Sequence, residues 1–509
     1  MSHHEDTTSP GAAGPVVTTC HGLVRGRAIR GVHDTADVDA FQGIPYAAAP
    51  TGPLRWRPPQ PPARWTGVRD ALEFGPDLPQ APNPRLRGPS ASEDCLYLNV
   101  WTPDSAAPGS LPVMVWIHGG GFTGGSGSDV RSDGAIMAAQ GVVVVSFNYR
   151  AGLFGFLAHR GLSQESPHGI SGNYGLLDQL AALDWVKDNI AAFGGDPARI
   201  TVFGVSAGSA SISLLLTSEL ARGKFQQAIL HSPGACRPLA SLGEAEQAGG
   251  VLGADIAALR RLSAQDLLAK TPLLSPQVRG LTTPRVLRPI RDGWMIAQDE
   301  RPAFKAGQLH RMPIIVGSNA DEGSLLTQGW PIATLEQYRQ LVHANFGAAA
   351  PEAASRYRAD GDSEVRSRVT ELFADTQFNY GTRLLAQAMA GREPRTWRYL
   401  FLRRRPGQMD GPHHGEEVAH VFGNLAAAGA GETAAFDAVD QAVSAAMMKA
   451  WVAFAGDGDP NGPGLAHWPA YDARQDNFLA FGDRVTVGHG WRGEQLDFLD
   501  RFFETAARP

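Results

Sequence analysis

The 509-residue sequence predicts an α/β protein with a mostly parallel central sheet and helices on both faces. Two patterns carry this expectation. Six short runs, at residues 96–101, 112–117, 142–147, 200–204, 227–231 and 313–317, have strand length. Several of them, such as PVMVWI and VVVVSF, are continuously apolar, as strands covered on both faces are. Helix-length segments separate the runs, and strand–helix alternation folds as a parallel sheet between two helical layers.

Along the chain, residues 1–15 show no apolar stretch behind a basic start, so no secretory signal is visible; the segment is expected to be a flexible tail ahead of one domain spanning 16–509. Residues 16–20 and 23–29 read as short strands. The Pro-rich residues 41–62 are expected to pack irregularly on the surface, and residues 76–92, rich in Pro, Ser and Asn without aromatics, to form a mobile loop. Residues 175–193 have helical spacing, with Leu176, Leu180, Leu183 and Val186 on one face.

Composition narrows the function. Gly and Pro (59 and 36 residues) make up about 19% of the chain, below the level of low-complexity disorder, and 43% apolar residues can build a large core. With 45 basic and 51 acidic residues the formal charge is −6, without the basic excess that nucleic acid requires. No apolar run approaches the ~20 residues of a membrane span. Cys20, Cys95 and Cys236 are too few and scattered for a disulfide framework or a metal cluster. A cytoplasmic protein is expected, with no metal or organic cofactor.

The chemistry begins at residues 204–208, Gly-Val-Ser-Ala-Gly. The bare string is weak evidence, but it follows the strand-like ITVF and precedes the helix-like SASISLLL. That strand–turn–helix context lifts a serine hydroxyl out of a strained elbow, with Gly where strand and helix approach too closely for side chains. Residues 118–122, His-Gly-Gly-Gly-Phe, follow another strand. Backbone N–H groups of Gly120 and Gly121, with that of Ala207, could meet a developing oxyanion. A serine nucleophile also needs a histidine base and an acid. Residues 317–323, GSNADEG, offer Asp321 and Glu322 at a strand's C-terminal end, and residues 411–424 offer His413, His414 and His420. Position alone does not select among these five.

These motifs belong to a longer ordered series: FQGIPYA (41–47), Arg55-Trp56, EDCLYLNVWTP (93–103), WIHGGGF (116–122), NYRAGLFGF (148–156), residues 172–197, the serine elbow, NADEG, HHGEEVAHVFGN and GDGDPNG (456–462). With them the chain resembles a type-B carboxylesterase, of the carboxylesterase and cholinesterase family of the α/β-hydrolase fold, through nearly its whole length. The resemblance implies that Ser206 is the nucleophile, Glu322 the acid and His414 the base. It also implies that Glu93 pairs with Arg55 structurally, that Asp321 and His413 are bystanders, and that His420 packs where relatives usually carry an aromatic.

Two departures concern the substrate. Relatives mostly place Glu or Gln before the nucleophile, where this chain has Val205. The loop that cholinesterases close with a disulfide has Leu78 at the position facing Cys95, and no aromatic residue. Choline esters are therefore disfavoured, since neither a carboxylate nor a cation–π platform is visible. The expectation is a serine hydrolase of neutral, small to medium carboxylic esters, acting through an acyl-enzyme. The same triad would also serve a thioesterase, a carbamate or amide hydrolase, or an acyltransferase of secondary metabolism; a non-catalytic binding protein of the same fold is the remaining alternative. Phe122, Trp330, Phe373 and Phe378 are candidates to line the substrate pocket.

Overall fold

The computed structural model describes residues 14–32, 36–428 and 435–506. Most of the expected N-terminal tail therefore lies outside the described residues; Pro15 is described, and its carbonyl accepts the Gly26 N–H at 2.9 Å.

Fourteen strands are present among the described residues: β1 (Val16–Thr19), β2 (Gly22–Arg25), β3 (Arg27–Val32), β4 (Ala36–Pro45), β5 (Val68–Asp70), β6 (Tyr97–Pro103), β7 (Leu111–Ile117), β8 (Val143–Phe147), β9 (Gly195–Val205), β10 (Gln227–His231), β11 (Ile314–Asn319), β12 (Thr396–Phe401), β13 (Asn477–Phe481) and β14 (Val485–His489). Strands β1, β2 and β5 form a small separate sheet. The other eleven form one sheet in the order β14-β13-β12-β11-β10-β9-β7-β8-β6-β4-β3. From β13 to β8 every pairing is parallel, and both ends turn antiparallel. All six predicted runs are strands of this sheet. Its parallel members are buried, which explains why they read as continuous apolar runs and not as alternating ones.

One apolar cluster lies on each face of the sheet. The larger includes Val113, Val115, Ile117, Ile200 and Val202 with the helix Tyr174–Asn189, whose Leu176, Leu180, Leu183 and Val186 are all buried as predicted. The other joins Met114, Trp116, Phe203 and Val205 to the helices Glu417–Phe422 and Ala438–Asp457. Alternate residues of one strand thus feed opposite cores.

The Pro-rich segment departs from expectation. Residues 41–45 end the ten-residue strand β4, with Phe41 and Ile44 buried, and Trp56 is buried with its indole N–H donating to the Leu153 carbonyl at 2.8 Å. Pro45 terminates the strand, so the proline density that suggested irregularity begins only where the strand stops. Residues 76–92 are irregular, as expected, yet anchored: the buried Asp77 carboxylate accepts from Ser128 Oγ at 2.9 Å and from Ser126 Oγ.

Candidate active site

Parallel register brings the candidate residues together. Ile117 pairs with Gly204, Val205 with His231, and His231 with Gly317, so β7, β9, β10 and β11 end side by side at their C-terminal edge. The residues that follow emerge on one rim of the sheet, the place where open α/β sheets bind ligands.

Ser206 follows β9 directly, with φ 57° and ψ −119°, and starts the helix Ala207–Leu215. Such a conformation is strained for a non-glycine residue, by about 1–3 kcal/mol. Its N–H donates to the His231 carbonyl at 2.9 Å, which pins the elbow to the neighbouring strand. The flanking glycines are required by space: a Cβ at Gly208 would lie 1.9 Å from the Ile117 carbonyl oxygen, and one at Gly204 2.5 Å from the same atom.

The glycine loop after β7 runs past this elbow. A Cβ at Gly119 would meet the Ser206 Cβ at 3.2 Å and the Val205 carbonyl oxygen at 2.9 Å. Gly120 adopts φ 123°, and its carbonyl accepts the Thr123 and Gly124 N–H groups. Gln80 clamps the loop end through two bonds to Gly125, at 2.7 and 2.9 Å. Among the described residues, the N–H groups of Gly120, Gly121 and Ala207 donate to no protein acceptor. His118 is buried beneath, stacked on Tyr149 at 4.3 Å between centroids, with Nδ1 2.8 Å from the Gly119 carbonyl; burial drops its pKa to about 4, so it is a neutral brace at physiological pH.

The acid and histidine loops are joined by three hydrogen bonds. The Asp321 N–H donates to the Pro412 carbonyl at 3.1 Å, the Gly411 N–H to Asp321 Oδ2 at 3.0 Å, and the Asn319 amide to the His413 carbonyl at 2.6 Å. This stitching brings the fully buried Glu322 onto His414 Nδ1 with a short hydrogen bond. Ser232 Oγ (2.5 Å) and the Asn319 N–H (2.6 Å) occupy the other Glu322 oxygen. His414 Nε2 is buried without a partner among the described residues. Gly415, the next residue, faces the Val205 side chain, so the imidazole loop lies against the serine elbow.

The alternatives sort out by contact. His413 Nδ1 bonds Ser324 Oγ at 3.1 Å, and Asp321 Oδ1 caps the N–H groups of Gly323 and Ser324 at 3.2 and 2.9 Å. His420 is buried against Phe401 and its Nε2 also faces Asp440 Oδ1 at 3.4 Å, a polar contact beyond the expected packing. Arg55 forms its expected fork with Glu93, with Nε to Oε2 at 2.7 Å. Leu78 and the free thiol of Cys95 line one small cavity, as the absent disulfide implied. Phe378 packs on His414 at 4.4 Å between centroids, with Phe373 and then Trp330 behind it, while Phe122 stacks edge-on against Phe156.

Sequence reasoning missed a buried couple below the site. His231 Nδ1 lies 3.4 Å from Glu417 Oε1, the Trp451 indole donates to His231 Nε2 at 3.0 Å, and Asn319 Nδ2 donates to Glu417 Oε2 at 2.5 Å. Burial raises the Glu417 pKa, but the His231 contact and Asn319 outweigh it and keep the group below the usual glutamate range. The only available signal was the second glutamate of the HHGEE string, indistinguishable there from a surface charge.

This arrangement suits nucleophilic acyl chemistry, and comparison with known proteins agrees. The model of the carboxylesterase family matches residues 13–499. Fumonisin B1 esterase of Sphingopyxis macrogoltabida is 46% identical over 476 residues, covering 91% of this chain and 86% of that protein. Para-nitrobenzyl esterase of Bacillus subtilis is 35% identical over 501 residues, covering 95% and 98%. A solved PNB esterase structure superimposes with a TM-score of 0.82 at 33% identity, covering 95% of this chain and 99% of that one. The fold is that of the PNB esterases, and the chain belongs to the carboxylesterase family.

Proposed function

We propose that this carboxylic ester hydrolase works through Ser206, His414 and Glu322 within one domain spanning residues 16–509. The observation that carries the reading is the buried Glu322–His414 hydrogen bond, with the opposite imidazole nitrogen unpartnered beside the strained serine elbow. His414 Nε2 takes the Ser206 proton as Oγ attacks the ester carbonyl. Negative charge gathers on the carbonyl oxygen, where the free N–H groups of Gly120, Gly121 and Ala207 meet it. Glu322 holds the proton of His414 on Nδ1, so that Nε2 is the basic nitrogen, and stabilises the imidazolium once it forms. That imidazolium protonates the leaving alcohol. Water, activated by the same nitrogen, then attacks the acyl-serine and releases the acid.

The relatives named above act, by their names, on fumonisin B1 and para-nitrobenzyl esters, which supports small-molecule esters as substrates. Among the described residues no helix is long and apolar enough to cross a membrane. The three free cysteines support a cytoplasmic setting. The test is Ser206→Ala: hydrolysis of p-nitrophenyl butyrate should fall at least ~10³-fold with the fold retained, and an organophosphate should label wild type at Ser206 alone. Ordinary turnover by the variant would refute the assignment.

A further inference from the structure

Four arginines gather beside the proposed triad without a carboxylate partner. Gln377 ties two of them: its carbonyl accepts from Arg237 Nε and its Oε1 from an Arg285 terminal nitrogen, both at 2.9 Å. The next residue, Phe378, packs on the His414 imidazole, and the Arg237 guanidinium lies 4.7 Å from the centroid of the Phe378 ring. Arg288 sits 5.4 Å from the ring centroid of Phe122, the residue after Gly121, and its Nε is buried without a hydrogen-bond partner among the described residues. Arg279 is the fourth, near enough for its charge to act on the other three.

Of the four, Arg288 is buried and Arg237, Arg279 and Arg285 are half-buried; other buried arginines are paired: Arg150 with Asp178, Arg398 with Asp476, Arg403 with Asp440. These four make no ion pair among the described residues. Burial and mutual repulsion depress all but Arg279 together, and burial alone depresses Arg279; Arg288 comes down to about 10. Glu300 and Glu322 are the carboxylates whose charge reaches Arg237, and both are engaged. Glu300 bonds Ser213 Oγ and the Cys236 N–H (2.7 Å) and is held up to about 7 by burial, while Glu322 serves His414. Like charges held close together without ion-pair partners are destabilising, the more so at the buried Arg288, and guanidinium groups match carboxylates with two parallel N–H···O bonds.

Resting on the esterase reading, we propose that Arg237, Arg285 and Arg288 bind carboxylate groups of the substrate, so that the preferred substrates are anionic esters. The neutral-ester expectation rested on Val205 and the aromatic-free loop, which speak only against cations; both agree with an anion.

The experiment compares kcat/KM for two matched pairs. Monophenyl glutarate against phenyl valerate places the carboxylate on the acyl side; 4-acetoxybenzoate against phenyl acetate places it on the alcohol side. Wild type should favour the anionic member of at least one pair by ~10-fold or more, and the favoured pair identifies the side the arginines face. Arg237→Gln, Arg285→Gln and Arg288→Gln should each lower that ratio about tenfold, with Arg285→Lys recovering part of it. A wild-type ratio at or below one in both pairs, or a ratio that all three glutamine variants leave within about twofold, overturns the proposal. Absence of Ser206-dependent turnover of every ester would count against the esterase reading instead. Calorimetric titration with the acid of the favoured side, glutarate or 4-hydroxybenzoate, then decides the arginine site alone: saturable binding lost in Arg285→Gln supports it, and no binding to wild type overturns it.

Discussion

Glu322→Gln separates the charge of the buried acid from its shape. The carboxylate takes three donors: His414 Nδ1 on one oxygen, Ser232 Oγ and the Asn319 N–H on the other. A glutamine is isosteric, and its single oxygen can keep Ser232 and Asn319. Its NH2 group then points at His414 Nδ1, which must become an acceptor. The ring proton moves to Nε2, the atom that has to receive the serine proton, so the wrong tautomer dominates. The imidazolium that forms during attack also loses a neighbouring charge. For unit charges about 4 Å apart at an effective dielectric near 20 that interaction is ~4 kcal/mol, or about 10³ in rate. We therefore expect kcat/KM for p-nitrophenyl butyrate to fall about 10³-fold, with KM changed little and the melting temperature close to wild type. Steady-state rates, normalised by active-site titration, measure it. A loss below about tenfold in a folded variant would refute the role given to Glu322.

Three further outcomes are expected. His414→Ala should lose as much activity as Ser206→Ala, and the double variant little more, whereas His413→Ala, which removes only a bond to Ser324, should stay within about tenfold of wild type; the reverse pattern in the aryl-ester assay would move the base by one residue. His118 carries an acid-stability signature: its folded pKa of about 4 lies below the ordinary histidine value of 6.5, so between these values the unfolded chain binds more protons and stability falls as pH drops, by about 3 kcal/mol in all. Glu300, at about 7 against 4.5, contributes with the opposite sign, its stabilisation being complete below 4.5 and lost as pH rises through 7; urea midpoints of His118→Gln and Glu300→Gln against wild type from pH 4 to 8 separate the two, and parallel curves would contradict both shifts. Val205→Glu puts a carboxylate beside Gly119 and Gly415, and should raise the ratio of butyrylthiocholine to neutral butyrate thioester turnover, by less than the ~3 kcal/mol of a charge about 5 Å away at a dielectric near 20, because an acid in this largely apolar niche favours its protonated form; an unchanged ratio would remove Val205 from the account of substrate charge.

The fold class was legible because its signals are local. Continuous apolar runs, helical spacing over 175–193, and glycines at 204 and 208 each report a strand, a helix or a forced close approach from a few adjacent residues. Strand β4 was hidden because the prolines that follow it dominate the composition of its window. The serine elbow and the glycine loop were also readable, since backbone geometry demands particular residue types at particular spacings. Five acid and histidine candidates could not be ranked by that means: only the family resemblance singled out Glu322 and His414. Contact alone brings those two together, through the bonds that lay the 411–413 backbone along Asn319 and Asp321. Tertiary structure likewise decided that Glu417 is a buried partner of His231, and that Arg237, Arg279, Arg285 and Arg288, drawn from two separated segments, share one neighbourhood with no ion-pair partner among the described residues. Sequence records the charge of an arginine. Whether that charge is matched depends on which side chains long-range packing places within a few ångströms, and no local pattern encodes that distance.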